Sequence, residues 1–336
     1  MTIQFHIPDF FALTPFEGWK GFHKTFVREE RASTEWMLSH GIFATHKYDR
    51  VYASEAELLA CIAYNNPLTT KEELRTIGDY LMILFTIDEI TDDQDVKEAA
   101  QTRETFIKAL TGNSGEDDSP ITRFTKEFLK RLSKNSDAFR KRFIEHCICY
   151  MEATANEVTL RGEEGLTMSI EEYFPHRRNN GGIRACFDLI ELSLGIELPA
   201  EVFEDPDFLR VHYAADDMIC WSNDVYSYPM EYARGIEASN AVTIIMKEKG
   251  LSLQDAVNEA AISYKEFGDT VNTYRHKIRS YGPKTDTDIQ NYIDGMQQWV
   301  WGNLEWSFRM KRYFGKNFEE VRRTGIVELA EHGSVL

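Results

Sequence analysis

The side chains of this sequence best suited to chemistry are two sets of oxygen donors at helical spacing. Asp88 and Asp92 stand four residues apart in the run Ile87-Asp88-Glu89-Ile90-Thr91-Asp92-Asp93. On a helix both carboxylates leave from one face, directly after an uncharged stretch at 80–87. Asn223, Ser227 and Glu231 are spaced i, i+4, i+8, which stacks an amide oxygen, a hydroxyl and a carboxylate along one helical stripe. Oxygen-only donors of this kind suit a hard dication such as Mg²⁺, which keeps several waters and also takes substrate phosphate oxygens. Each set also has a plainer reading. Asp88 and Asp92, with Asp93 and Asp95 beyond them, read equally as a solvated acidic helix end, although acids there oppose the helix dipole. Asn223 and Ser227, taken alone, read more readily as a cap or turn cluster competing for backbone groups. Pro229 removes a helix hydrogen bond, so the helix is expected either to kink there and re-aim Glu231 or to stop short of it.

The elements that must carry these residues are helices. Apolar positions recur at helical period over 54–64, 70–87, 96–110, 120–132, 137–160, 182–194, 208–227, 238–249, 252–281 and 286–306, as amphipathic or buried helices require. Thr70, three residues before Glu73, has the pattern of a capping box. Breaks are expected at 111–120, 161–166, 232–237 and Gly282-Pro283. Strand alternation is nearly absent. No linker rich in Pro, Ser or Gly divides the chain, so residues 1–336 are expected to form one all-α domain, with 315–336 weakly periodic and prone to fray. The uncharged runs at 80–87 and 218–221 should lie inside the bundle or line a cavity.

Charge narrows the partners. With 55 Asp and Glu against 38 Lys and Arg, the chain carries a formal net charge of −17. A basic stripe able to neutralise nucleic-acid phosphates is not expected, nor is docking on an anionic membrane surface. No apolar run approaches the roughly 20 residues that cross a bilayer, and residues 1–19 do not read as a leader. The expectation is a cytoplasmic protein. The five cysteines show no paired spacing and are expected reduced in the core.

Taken together, the motifs resemble those of the class I terpene synthases, in particular the fungal, basidiomycete-type sesquiterpene cyclases, over most of the chain. Asp88-Glu89-Ile90-Thr91-Asp92 is similar to that family's D-(D/E)-x-x-D motif, and Asn223-Asp224-x-x-Ser227-x-x-x-Glu231 to its N-D-x-x-S-x-x-x-E motif. Arg177 lies 46 residues before Asn223, the family's spacing for its diphosphate-sensing arginine. Asn180 and Gly181 follow at the places of the family's linker and helix-break carbonyl. Arg312-Tyr313, preceded by Trp306-Ser307, is similar to its C-terminal Arg-Tyr pair.

The resemblance implies a single-domain class I helical bundle around a central apolar cavity, as a monomer or homodimer. It implies that farnesyl diphosphate is ionised with three Mg²⁺ ions and cyclised to a sesquiterpene. By it, Asp88, Asp92, Asn223, Ser227 and Glu231 would hold metal, while Arg177, Arg312 and Tyr313 would donate to diphosphate. Phe85, Trp221, Trp301, Trp306 and Tyr313 are candidate walls for a cation, each with core packing as its plainer role. The short Asp-Glu-Ile-Thr-Asp form resembles mushroom sequences that begin with 1,11-closure, as in protoilludene formation. One position departs from the pattern: Met230 stands where many members have Lys or Arg.

Several neighbours compete for these roles. Arg178 competes with Arg177, and Arg184 reads as a packing residue. His176 could add charge near a diphosphate, though a surface place at a helix start suits it better. Two further functions stay in view. An isoprenyl chain-elongating synthase would need a second aspartate-rich motif where Asn223, Ser227 and Glu231 stand. A non-catalytic helical scaffold would leave the joint spacing of the motifs without a cause.

Overall fold

The computed structural model describes residues 3–27, 30–162, 168–310 and 312–334. The break expected at 161–166 falls mostly outside the described residues. In chain order the elements are β1 (Gln4–His6), α1 (Phe10–Leu13), α2 (Ala32–Ser39), α3 (Tyr48–Ala53), α4 (Ala56–Ala63), α5 (Lys71–Asp92) and α6 (Val96–Leu110). They continue with α7 (Pro120–Arg131), α8 (Asp137–Gly162), α9 (Ile170–Asn180), α10 (Ile183–Leu194) and α11 (Pro206–Arg234). The last are α12 (Ala241–Lys249), α13 (Leu253–Tyr274), α14 (Pro283–Arg309), α15 (Phe318–Thr324) and β2 (Ile326–Glu328). By its internal packing the chain falls into two compact units, each discontinuous in sequence. One comprises Met1–Trp19, Glu163–Arg178 and Glu201–Leu336; the other comprises Lys20–Gly162 and Asn179–Ala200.

In the unit that begins at Lys20, α5 is the central helix and packs on α2, α4, α7, α8 and α10. Thr70 and Glu73 close a full capping box at its start, satisfying two orphan donors reciprocally. Leu74, Ile77 and then 80–84 are buried, so the helix is covered on nearly every face. Its fully buried Asp79 is neutralised by Arg75 at 2.7 Å and Arg131 at 3.0 Å. Tyr80 meets the ring of Phe143 edge-on at 4.9 Å and that of Phe128 at 5.6 Å, contacts of about 0.5–1.5 kcal/mol each beyond burial. Between α8 and α10, Arg142 and His146 both close on Asp188, at 2.8 and 2.7 Å, and Arg142 reaches Glu191 as well.

In the other unit α11 is central, packed most extensively on α13 and also on α12 and α14. Asp205 caps its start and Gly235, at φ 71°, ends it. The N-terminal segment lies on α13 because Gly268 leaves room: a Cβ there would sit 2.7 Å from Pro15. Phe10 then packs between Tyr226 and Tyr264, 5.5 and 4.8 Å away. The C-terminal stretch, expected to fray, instead carries α15 and a strand. Gln4 pairs with Glu328 and His6 with Ile326 in a two-stranded antiparallel sheet. Buried Glu305 of α14 holds this end down by accepting from Arg309 at 3.0 Å and Arg322 at 2.8 Å.

Three further features have local causes. Of the two outcomes open at Pro229, α11 does not stop before it; it runs to Arg234 with Pro229 itself buried. Only the bond to the carbonyl of Val225 is forfeited, and burial of Tyr226, Tyr228 and Ala233 around it holds the helix together. α9 was not expected, since it has little apolar periodicity and contains Pro175. It starts on a capping box between Ser169 and Glu172, whose reciprocal bonds measure 2.9 and 3.2 Å. α13 stops at Tyr274, not 281, because 275–282 offer no apolar stripe.

Candidate active site

Asp88 and Asp92 occupy the last turn and a quarter of α5, both half-buried, with Phe85 half-buried just before them. Their acidic neighbours are engaged elsewhere: Glu89 pairs with Arg50 at 3.1 Å and Asp93 with Lys47 at 2.5 Å. The helix therefore sorts its acids, as the four-residue spacing requires. Tyr150 of α8 donates to the carbonyl of Leu84 at 3.3 Å. Burial first, then the charges of Asp88, Asp92 and Glu157, push its phenol well above the usual value, so both carboxylates act on this hydroxyl.

The break between α9 and α10 belongs to the same unit. Asn180 donates to Glu157 at 2.7 Å. Gly181 follows, but the residue that turns the chain is Gly182, at φ 68°. A Cβ on Gly182 would lie 3.1 Å from Leu84 and 3.4 Å from Tyr150. Leu84 is one turn before Asp88, so the break packs directly on the helix that carries the acids. Gly182 was missed in the sequence reading, although its place in Asn179-Asn180-Gly181-Gly182 is a turn signal.

Asn223, Ser227 and Glu231 lie in the other unit, on one uninterrupted stretch of α11. Asn223 is a junction. Its Oδ1 accepts from Arg177 Nη2 at 2.9 Å, and its Nδ2 donates to the Tyr313 hydroxyl at 2.7 Å. Trp306, buried at 3% exposure, stands edge-on to the Tyr313 ring at 6.1 Å. Arg312, beside Tyr313, is half-buried. Arg177, Asn223 and Tyr313 are thus brought together by three separate stretches of chain.

The neighbouring cations divide their work. Arg177 also donates from Nε to Asp224 at 2.9 Å. Burial is the largest influence and opposes its charge, but Asp224, with Cys220, Tyr173 and Glu231 behind it, outweighs burial and holds the guanidinium firmly protonated. Arg178 instead makes a bidentate pair with Asp217, at 2.7 and 2.6 Å, and stacks over Tyr213 at 4.7 Å. His176 is pushed down to about 4 by burial and by Arg177, so it stays neutral near pH 7 and adds no positive charge. Arg184 packs onto Asn179. Trp221 lies within the core, stacked on Phe174 at 4.5 Å and edge-on to Phe267 at 5.5 Å.

Three residues given no role of their own by the sequence, Asp224, Tyr173 and Asn240, complete this region. Asp224, 2% exposed, accepts from Tyr173 at 2.6 Å and from the Ala241 amide at 3.1 Å, besides Arg177. Asn240 donates to Glu231 at 2.8 Å; its sequence signal was that of a helix cap alone. Glu231 is raised to about 7, by burial first and Asp224 second, against hydrogen bonds from Ser227 and Asn240 and the charge of Arg177.

The donors fit a hard dication. They are all oxygens, they lie on one stripe, and Glu231 gains from a cation that would hold it ionised. Among the described residues no group of three or more His, Cys, Asp or Glu is placed to hold a metal. All five cysteines are free. No described helix is long and apolar enough to cross a membrane.

Comparison with known proteins converges on one family. The family described as terpene synthase family 2, C-terminal metal binding, matches residues 79–266. Bifunctional terpene synthase Agr4 of Cyclocybe aegerita is 35% identical over 98% of this chain and 96% of its own length. Sesquiterpene synthase 6 of Postia placenta is 34% identical over 89% of this chain and 88% of its own. The solved structure of hedycaryol synthase in complex with HEPES superposes with a TM-score of 0.77, at 24% identity, over 90% of this chain and 98% of that one. That last likeness speaks for the all-α fold.

Proposed function

The chain belongs to the terpene synthase family, among the fungal sesquiterpene synthases, and from that membership we propose that it ionises farnesyl diphosphate and cyclises the carbocation to a sesquiterpene. Its metal is Mg²⁺, as three ions. Glu231, Asn223 and Ser227 supply a carboxylate, an amide oxygen and a hydroxyl to the metal, and Asp88 and Asp92 supply carboxylates. When bound, Mg²⁺ supplies Lewis-acid neutralisation of the charge that grows on diphosphate as the C–O bond breaks. Arg177 and Arg312 present guanidinium forks suited to bidentate contact with that anion, and Tyr313 presents a hydroxyl. Asn180 and Gly181 follow Arg177 closely in sequence, at the helix break.

The cation left behind needs a dry, apolar wall, since water would quench it to an alcohol. Phe85 and Trp306 are assigned to that wall, where an aromatic face stabilises a desolvated cation by about 2 kcal/mol. The first ring closes between C1 and C11, in the protoilludene manner.

The observation that carries the reading is the hydrogen-bonded chain Arg177–Asn223–Tyr313. It joins one residue assigned to metal with two of the three assigned to diphosphate, and a scaffold protein would have no use for it. Purified protein with Mg²⁺ and farnesyl diphosphate should release diphosphate and a volatile hydrocarbon, identified by gas chromatography with mass spectrometry. No product from farnesyl, geranyl or geranylgeranyl diphosphate would overturn the proposal. A first ring closed at another carbon would overturn the 1,11 assignment alone.

A further inference from the structure

Asn240 lies directly before α12 at 1% exposure, and its Oδ1 accepts from the Val242 amide at 2.9 Å. That is an ordinary N-cap bond, which Ser, Thr or Asp would make nearly as well. The amide nitrogen has a second use that none of those residues could fill in the same way. It donates to Glu231 Oε2 and to the backbone carbonyl of Asp224, each at 2.8 Å. These two acceptors bracket the two turns of α11 that carry Ser227 and end at Glu231. The Asp224 side chain meanwhile takes the Ala241 amide, one residue after Asn240. One buried amide therefore spends both of its N–H groups fixing the α11 stripe, while its oxygen caps the next helix.

We infer that Asn240 is a positioning residue for Glu231, whose carboxylate it holds in one orientation for metal coordination, separately from its part in capping α12. The inference rests on the reading of Glu231 as a metal ligand. A carboxylate anchored through one oxygen keeps its remaining lone pairs aimed without first giving up side-chain freedom. Outer partners of this kind set metal affinity by about 10–100-fold.

The two uses of Asn240 separate by substitution. Asn240→Ser keeps a capping oxygen and loses the amide donors, with no charge added; Asn240→Ala loses both. The probe is Mn²⁺ alone, titrated into metal-free protein and followed by electron paramagnetic resonance, alongside the thermal melt. Asn240→Ser is expected to melt close to the wild type yet bind Mn²⁺ about tenfold more weakly, and its turnover should need correspondingly more Mg²⁺. Asn240→Ala should show the same weakening together with a lower melt. Wild-type Mn²⁺ affinity in Asn240→Ser would overturn the inference and leave Asn240 as a cap. Should the Ser variant fail to fold, Asn240→Thr makes the same separation. Glu231→Gln is the control: if it binds Mn²⁺ as the wild type does, the reading of Glu231 as a ligand has failed, and the inference falls with it.

Discussion

The side-chain amide of Asn223 donates to the hydroxyl of Tyr313 across 2.7 Å, tying the middle of α11 to the segment that follows α14. Tyr313→Phe removes that acceptor at a half-buried position. The lost bond is worth about 1 kcal/mol, and the lost hydroxyl would also have served the leaving diphosphate. Turnover is expected to fall about tenfold or more, with the melt nearly unchanged. Steady-state diphosphate release and a melting curve check this; undiminished turnover would remove Tyr313 from the site.

Arg177 and Arg178 should respond to the same change in opposite ways. Lysine keeps the charge but not the fork. Arg177→Lys is expected to lose most turnover, because the Nε contact to Asp224 and the Nη2 contact to Asn223 cannot both be kept. Arg178→Lys should stay active. Arg178→Ala strands buried Asp217 and is expected to destabilise the fold by about 3 kcal/mol. Active Arg177→Lys beside inactive Arg178→Lys would reverse the assignment.

Metal binding should depend on pH through Glu231. This carboxyl lies near 7 in the folded chain against an ordinary 4.5, so the folded state keeps its proton longer than the unfolded state does. On this group's account, metal-free protein loses stability as pH rises from about 4.5 to about 7. A dication must displace the proton, so its affinity should climb with pH and level off above about 7. Melts with and without Mg²⁺ on either side of that value test it. The rise caused by Mg²⁺ should be larger on the alkaline side, and Glu231→Gln should flatten the difference.

Gly182→Ala asks whether the break between α9 and α10 needs its glycine. Alanine at φ 68° costs about 1–2 kcal/mol, and its Cβ would press on Leu84 at 3.1 Å. The variant should melt several degrees lower. Gly181→Ala, one residue earlier and outside the left-handed region, should melt close to the wild type. Equal melts for the two would show that the break tolerates a side chain.

The helices that carry the acids were legible because their signals are local. Asp88 and Asp92 follow an apolar run at constant period, and Thr70 with Glu73 announces the start of α5. Whether α11 passes Pro229 stayed open in the sequence, since it depends on how much flanking surface is buried, a tertiary quantity. The strands Gln4–His6 and Ile326–Glu328 are three residues each, too short to show alternation, and their partners are at opposite ends of the chain. The two-unit division was hidden for a related reason. One of its boundaries, between Arg178 and Asn179, falls inside α9, where composition shows no seam. Of the candidate site, the stripe of Asn223, Ser227 and Glu231 showed in its spacing, though spacing alone left a cap or turn cluster open. Asn240 and Tyr173 did not, because they reach it only through folding.

The pairing of Gln4 with Glu328 sets two segments 324 residues apart in sequence on neighbouring strands, about 5 Å apart. Each strand is only three residues long, too short to hold without a partner. A substitution that unseats one of them therefore releases the other as well, however far away along the chain it is made.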